Sequence, residues 1–156
     1  MLDGSSWIWG LCLIVLTAAF HSLGIVLMSI LGLRIRAGLM HRRIAFWQGV
    51  AMLTGLIGAI GLLLAVLHGI EAAMWAAAYL GLGALDTAAD AMLFSVDSMS
   101  TRGASGLVLH RHWQIMGALE AVAGMLMFGI STAYIFAVMQ LYWPLLQATR
   151  QHLTRR

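Results

Sequence analysis

Four ionisable side chains stand inside runs that are otherwise apolar. His68 and Glu71 are three residues apart, so one helix face would carry both. Glu120 is the one charged residue between Trp113 and Tyr142, and His21 lies in the uncharged run from Trp7 to Leu33. Imidazole and carboxylate can share a hydrogen bond between helices, handle a proton or an ion, or ligate a metal. Buried pairs of this kind most often join helices. An i,i+3 His–Glu pair offers two ligands to one ion, but no second His-x-x-Glu pair completes a familiar site, so no metal site is assigned. Glu120 facing Glu71 or His68 is the expected contact between two helices. A charge in contact with lipid costs about 3 kcal/mol or more, so these groups must face protein or water.

A second polar group follows, with Asp86, Asp90, Asp97 and Arg102 around a serine-bearing stretch. Ser98, Ser100 and Ser105 have no base at helical spacing, although His110 and His112 come after them. Nucleotide-binding loops, zinc-protease motifs and nucleophile elbows are absent from the sequence. Cys12 is the single cysteine, which excludes an intramolecular disulfide. No enzyme, no catalytic residue and no cofactor are expected.

The elements that must hold these residues are membrane helices. Of 156 residues 62% are hydrophobic and 10% charged, against about half and a quarter in soluble domains. Mean hydropathy is +0.90. The net charge of +3 comes entirely from arginine, placed at the ends of apolar runs. That pattern anchors a chain in a bilayer and does not suggest a nucleic-acid partner. Spanning about 30 Å of hydrocarbon takes roughly 20 apolar residues. Residues 1–43 read as a retained transmembrane helix followed by a basic hinge with Arg34, Arg36, His41, Arg42 and Arg43. Residues 44–83 read as an outer helix and 113–142 as an inner helix. Residues 143–156, with Pro144 and Arg150, Arg155 and Arg156, read as a basic interfacial tail.

Three crossings are expected, not four. Three place the basic hinge and the basic tail on one side, the cytoplasmic one by the positive-inside rule. Residues 72–99 then dip in and return, which gives the charges at 86–102 a setting shielded from lipid. Thr87 followed by Asp90 predicts a capped start for a short helix over 88–99. Residues 100–106, Ser-Thr-Arg-Gly-Ala-Ser-Gly, read as a loop. The expected fold class is an all-α integral membrane protein with three transmembrane helices, a re-entrant helix and a loop. Gly55, Gly58 and Gly61 suit close helix packing, and the eleven methionines read as core filler.

The run Phe94-Ser95-Val96-Asp97-Ser98-Met99-Ser100-Thr101-Arg102-Gly103 resembles the pore helix and filter of potassium channels, commonly aromatic-S-V-acid-T-x-T-T-V-G-Y-G-D. Ala123-Gly124 falls where that family often has a hinge glycine, and Phe128-Gly129-Ile130-Ser131-Thr132-Ala133 resembles its F-G-x-x-T-A stretch. The resemblance covers roughly residues 45–140. It implies a channel-like pore domain over 44–142, a homotetramer with the loop at its axis, and inorganic ions as what passes. It also implies filter-like roles for Ser100, Thr101, Arg102, Gly103, Ala104, Ser105 and Gly106, support from Asp97, and hinge positions at Gly124 and Gly129. The expected setting is a prokaryotic inner membrane with the C-terminus cytoplasmic.

The loop departs from the family. Arg102 stands for Val, Ala104 for Tyr, Ser105 for the second Gly and Gly106 for Asp. In the family, carbonyls of this loop replace the water shell of potassium. Four guanidinium groups about 10 Å apart would repel by roughly 1–2 kcal/mol per pair at an effective dielectric near 20. A hydrogen-bonded Asp97–Arg102 pair would cancel that charge and hold the loop. The expectation is an ion channel of altered or weak cation selectivity. The alternative is a non-conducting accessory subunit of a larger membrane complex.

Overall fold

The computed structural model describes residues 4–39 and 46–154. Four α-helices follow in order: α1 (Gly4–Leu39), α2 (Phe46–Gly81), α3 (Ala88–Met99) and α4 (Gln114–Thr154), with one 3₁₀ turn, Arg111–Trp113, before α4. No strand occurs among the described residues.

Three helices are long and apolar enough to cross a membrane: Gly4–Gly38, Phe46–Gly81 and Arg111–Pro144. Their outer surfaces are apolar, with Val15, Leu27, Leu62, Val66, Phe128 and Phe136 all more than half exposed. A helix of a soluble protein would turn polar residues outward there. Three ionisable groups well inside these segments instead turn inward: His21, Glu71 and Glu120 have no exposed surface at all. That inversion fits an integral membrane protein.

The chain divides into two compact units. The first holds Met1–Leu23 and Val66–Gly129. Its core is Trp75, Tyr79, Met116, Ala123 and Met127, with Ala91 and Met99 from α3. Tyr79 meets Phe94 edge to face, ring centres 5.4 Å apart. Gly124 matters here through its missing side chain: a Cβ at that position would strike the backbone of Met99. A Cβ at Gly117 would come within 2.9 Å of the Phe94 ring. These two glycines let α3 lie directly on α4. The second unit holds Gly24–Ala65 and Ile130–Arg156. There Tyr142 donates to the Gly32 carbonyl at 2.9 Å, beside an apolar cavity of about 290 Å³ next to Ser29, Ile60 and Tyr134.

Hydrogen bonds that close α2 and α3 set the ends of the α3 segment. At the end of α2, Ala84 N–H donates to the Tyr79 carbonyl and Gly83 N–H to that of Leu80, with Gly83 at φ +64°. This is a Schellman stop, whose left-handed residue is most often glycine. The helix ends at Gly81 within the expected 44–83, and runs unbroken through His68 and Glu71. Thr87 caps α3 by accepting from Asp90 N–H at 3.1 Å and donating to the Asp90 carboxylate at 2.8 Å. The bounds 88–99 match expectation.

Other boundaries differ. The inner helix starts at Gln114 after the 3₁₀ turn and continues through Pro144 to Thr154, so 143–156 does not begin as a separate element. Proline removes one backbone donor and can bend a helix, but neighbouring turns can carry it onward. The hinge residues His41, Arg42 and Arg43, the start of the outer segment at 44, and Arg155 and Arg156 lie outside the described residues.

Candidate functional site

The first polar site is the loop after α3. Helix α3 ends by the same device as α2: Arg102 N–H donates to the Asp97 carbonyl and Thr101 N–H to that of Ser98. The left-handed position is now Thr101, at φ +56°. A β-branched residue rarely adopts that conformation, so the loop begins on a strained backbone. Gly103 and Gly106 are also left-handed, at φ +63° and +72°. The loop curls around Asp97. Arg102 Nε donates to Oδ1 at 2.5 Å, and Ser105 N–H donates to Oδ2 at 2.9 Å. Ser100 Oγ donates to the Asp97 carbonyl at 3.1 Å. The Arg102 guanidinium, and then the Ser105 amide, hold the Asp97 carboxyl well below the usual carboxylate range. Ser98 Oγ donates to the Gly117 carbonyl, fixing the helix to α4 just before the loop. Thr101, Arg102, Gly103, Ala104 and Gly106 are exposed, while Asp97 is buried. The latch expected between Asp97 and Arg102 is therefore present.

The second site lies among the long helices. Glu71 Oε1 is 2.8 Å from His21 Nδ1 on α1, and Oε2 is 3.2 Å from His68 Nδ1, one turn back on α2. The His68 ring lies 5.1 Å from that of His21 and stacks on Phe128 at 4.9 Å and 13°. Glu120 turns elsewhere. Tyr79 Oη donates to its Oε2 at 2.7 Å, and Ser95 Oγ contacts its Oε1. Ser95 Oγ also donates to the Ala72 carbonyl at 2.7 Å. Tyr79 and Ser95 hold two hydroxyl protons between them for these three contacts.

The expected meeting of Glu120 with Glu71 or His68 is thus replaced by two separate clusters. His21 joins Glu71 across fifty positions of sequence, and Tyr79 and Ser95 are the partners that sequence reasoning missed. A signal existed for one of them. Glu71, Trp75 and Tyr79 recur every four residues and share the buried stripe of α2, so Tyr79 had to face the same interior as Glu71. Of the two hinge positions, Gly124 is the close contact with Met99 and Gly129 is exposed with open space beside it. Helix α4 is continuous through both.

A scan against models of protein families finds no match for this chain, and searches of curated proteins and of solved structures find none either.

Proposed function

We propose that this chain is a channel-like membrane protein. Four copies surround an axis, loop 100–106 of each lines the path, and cations pass weakly without selection for potassium. In this reading α3 dips into the membrane and returns, and the three long helices make three crossings. The observation that carries it is the seating of α3. A capped twelve-residue helix lies between two long apolar helices, directly on α4 at Gly117 and Gly124, and presents a bent, exposed loop at its end. Exposed polar backbone at such a place needs water or another copy of the chain.

The latch explains the altered selectivity. A dehydrating filter needs a stack of carbonyls aimed at the ion. Here the loop closes on Asp97 instead, and the Arg102 side chain remains 59% exposed. That guanidinium also favours the second reading, a non-conducting accessory subunit, because a ring of four would repel a cation entering the path.

Flux from vesicles reconstituted with the purified protein separates the two. Arg102→Val raises cation flux without restoring potassium selectivity. Asp97→Asn frees the guanidinium and lowers cation flux or favours anions. If neither substitution changes the flux of any ion, the loop lines no conducting path and the accessory reading stands.

A further inference from the structure

We infer that His21, His68 and Glu71 form a binding site for one divalent transition-metal ion of the zinc class, which clamps α1 to α2. The reading is independent of conduction, since it uses neither α3 nor its loop. Each of the three residues offers a ligand atom, and these atoms all lie within 4.8 Å of one another. Zinc bonds of about 2.0–2.1 Å place tetrahedral ligands about 3.4 Å apart. The present separations are 2.8 Å from His21 Nδ1 to Glu71 Oε1 and 3.2 Å from His68 Nδ1 to Oε2, so the carboxylate and the two rings shift to bring both nitrogens and one oxygen onto a single ion.

A second observation points the same way. Glu71 is wholly buried, yet its Oε2 accepts no hydrogen bond. His68 Nδ1 stands 3.2 Å from it without hydrogen-bond geometry, and a shared ion between the two satisfies that oxygen. The Phe128 stack holds the His68 ring in place. The side chains of His21 and Glu71 have no exposed surface, whereas that of His68 is 18% exposed and marks the way in.

The donor set selects the ion. Two imidazoles and one carboxylate suit zinc, iron, cobalt or nickel and leave one coordination position for water. Calcium takes six to eight oxygens and magnesium an octahedron of them, which three residues with two nitrogens do not supply. On binding, the ion displaces the proton shared by His21 Nδ1 and Glu71 Oε1, which leaves to solvent.

The test uses the untagged full chain in detergent micelles, titrated with Co²⁺ as a coloured probe and then with Zn²⁺. The expected result is one Co²⁺ per chain, with the visible absorption of a low-symmetry, four- or five-coordinate site, displaced by Zn²⁺. Zn²⁺ also raises the thermal unfolding midpoint. Glu71→Gln and His21→Gln weaken binding about tenfold or more and abolish the thermal shift. Should either fail to fold, His68→Gln at the partly exposed position, checked for full helix content, must show the same loss. His110→Gln with His112→Gln leaves binding intact. Absence of Co²⁺ binding, full affinity in folded His68→Gln, or loss confined to the His110/His112 pair overturns the assignment.

Discussion

Two carboxylates of this protein are held in opposite ways. Asp97 is satisfied by its own neighbourhood: Arg102 and the Ser105 amide, five and eight residues on, with the guanidinium reaching into the open. Glu120 is satisfied from far along the chain, by Tyr79 forty-one residues away and Ser95 twenty-five away, with no exposed surface. The first arrangement ties a loop to the helix it follows. The second ties three helices to one another. Losing the first should therefore free a segment, and losing the second should loosen the whole of the first unit.

The sharpest way to break that contrast is Glu120→Leu. It strands the Tyr79 hydroxyl in a dry interior, leaves Ser95 with its bond to the Ala72 carbonyl, and should cost about 1–3 kcal/mol. Glu120→Gln keeps an acceptor for Tyr79 and a polar group beside Ser95, and should cost under about 1 kcal/mol. Reversible unfolding in mixed micelles measures both. Equal losses from Gln and Leu would mean that the charge of Glu120, and not its hydrogen bonds, holds the unit.

A smaller effect should come from Asp97, and it should be local. Its carboxyl titrates lower in the folded loop than in an unfolded chain, where about 4 is ordinary. The latch therefore contributes fully above that ordinary value and is lost as pH falls through the lowered one. Hydrogen exchange at the Arg102 and Ser105 amides should show steady protection, relative to intrinsic exchange, from neutral pH down to about 4, then loss at lower pH. Asp97→Asn should lower protection at every pH and remove this acid step, with the helices of the first unit unchanged. Loosening of those helices together with the loop would erase the distinction between the two sites.

The same division explains what could be read from the residues alone. Thr87 and Asp90 announced the start of α3, and Asp97 and Arg102 their contact, because each pair lies within a few residues and needs only local geometry. The three apolar spans were legible from composition. The partners of Glu71 and Glu120 were not, since the rotation of one long helix against another decides them, and these helices are apolar all round. Pro144 suggested a boundary that the continuing helix ignores. The left-handed turn at Thr101 was hidden because nothing in a Ser-Thr-Arg sequence asks for it.

That turn offers the smallest expected effect. Thr101→Gly removes the left-handed strain of a β-branched residue, at roughly 1–2 kcal/mol, against an entropic loss of about 0.5–1 kcal/mol. The net gain should be on the order of 1 kcal/mol, read as a modest rise in unfolding midpoint. Destabilisation would show that the threonine side chain holds the loop in some other way.

The most direct test of the channel-like reading is the number of chains in the assembled particle, measured by native mass spectrometry from lipid nanodiscs. A lone loop cannot enclose a path, so the account predicts four copies and the same count for Asp97→Asn or Arg102→Val when they remain assembled. A particle containing a single copy, alone or with other proteins, would contradict it and leave the loop as a latch on an accessory subunit.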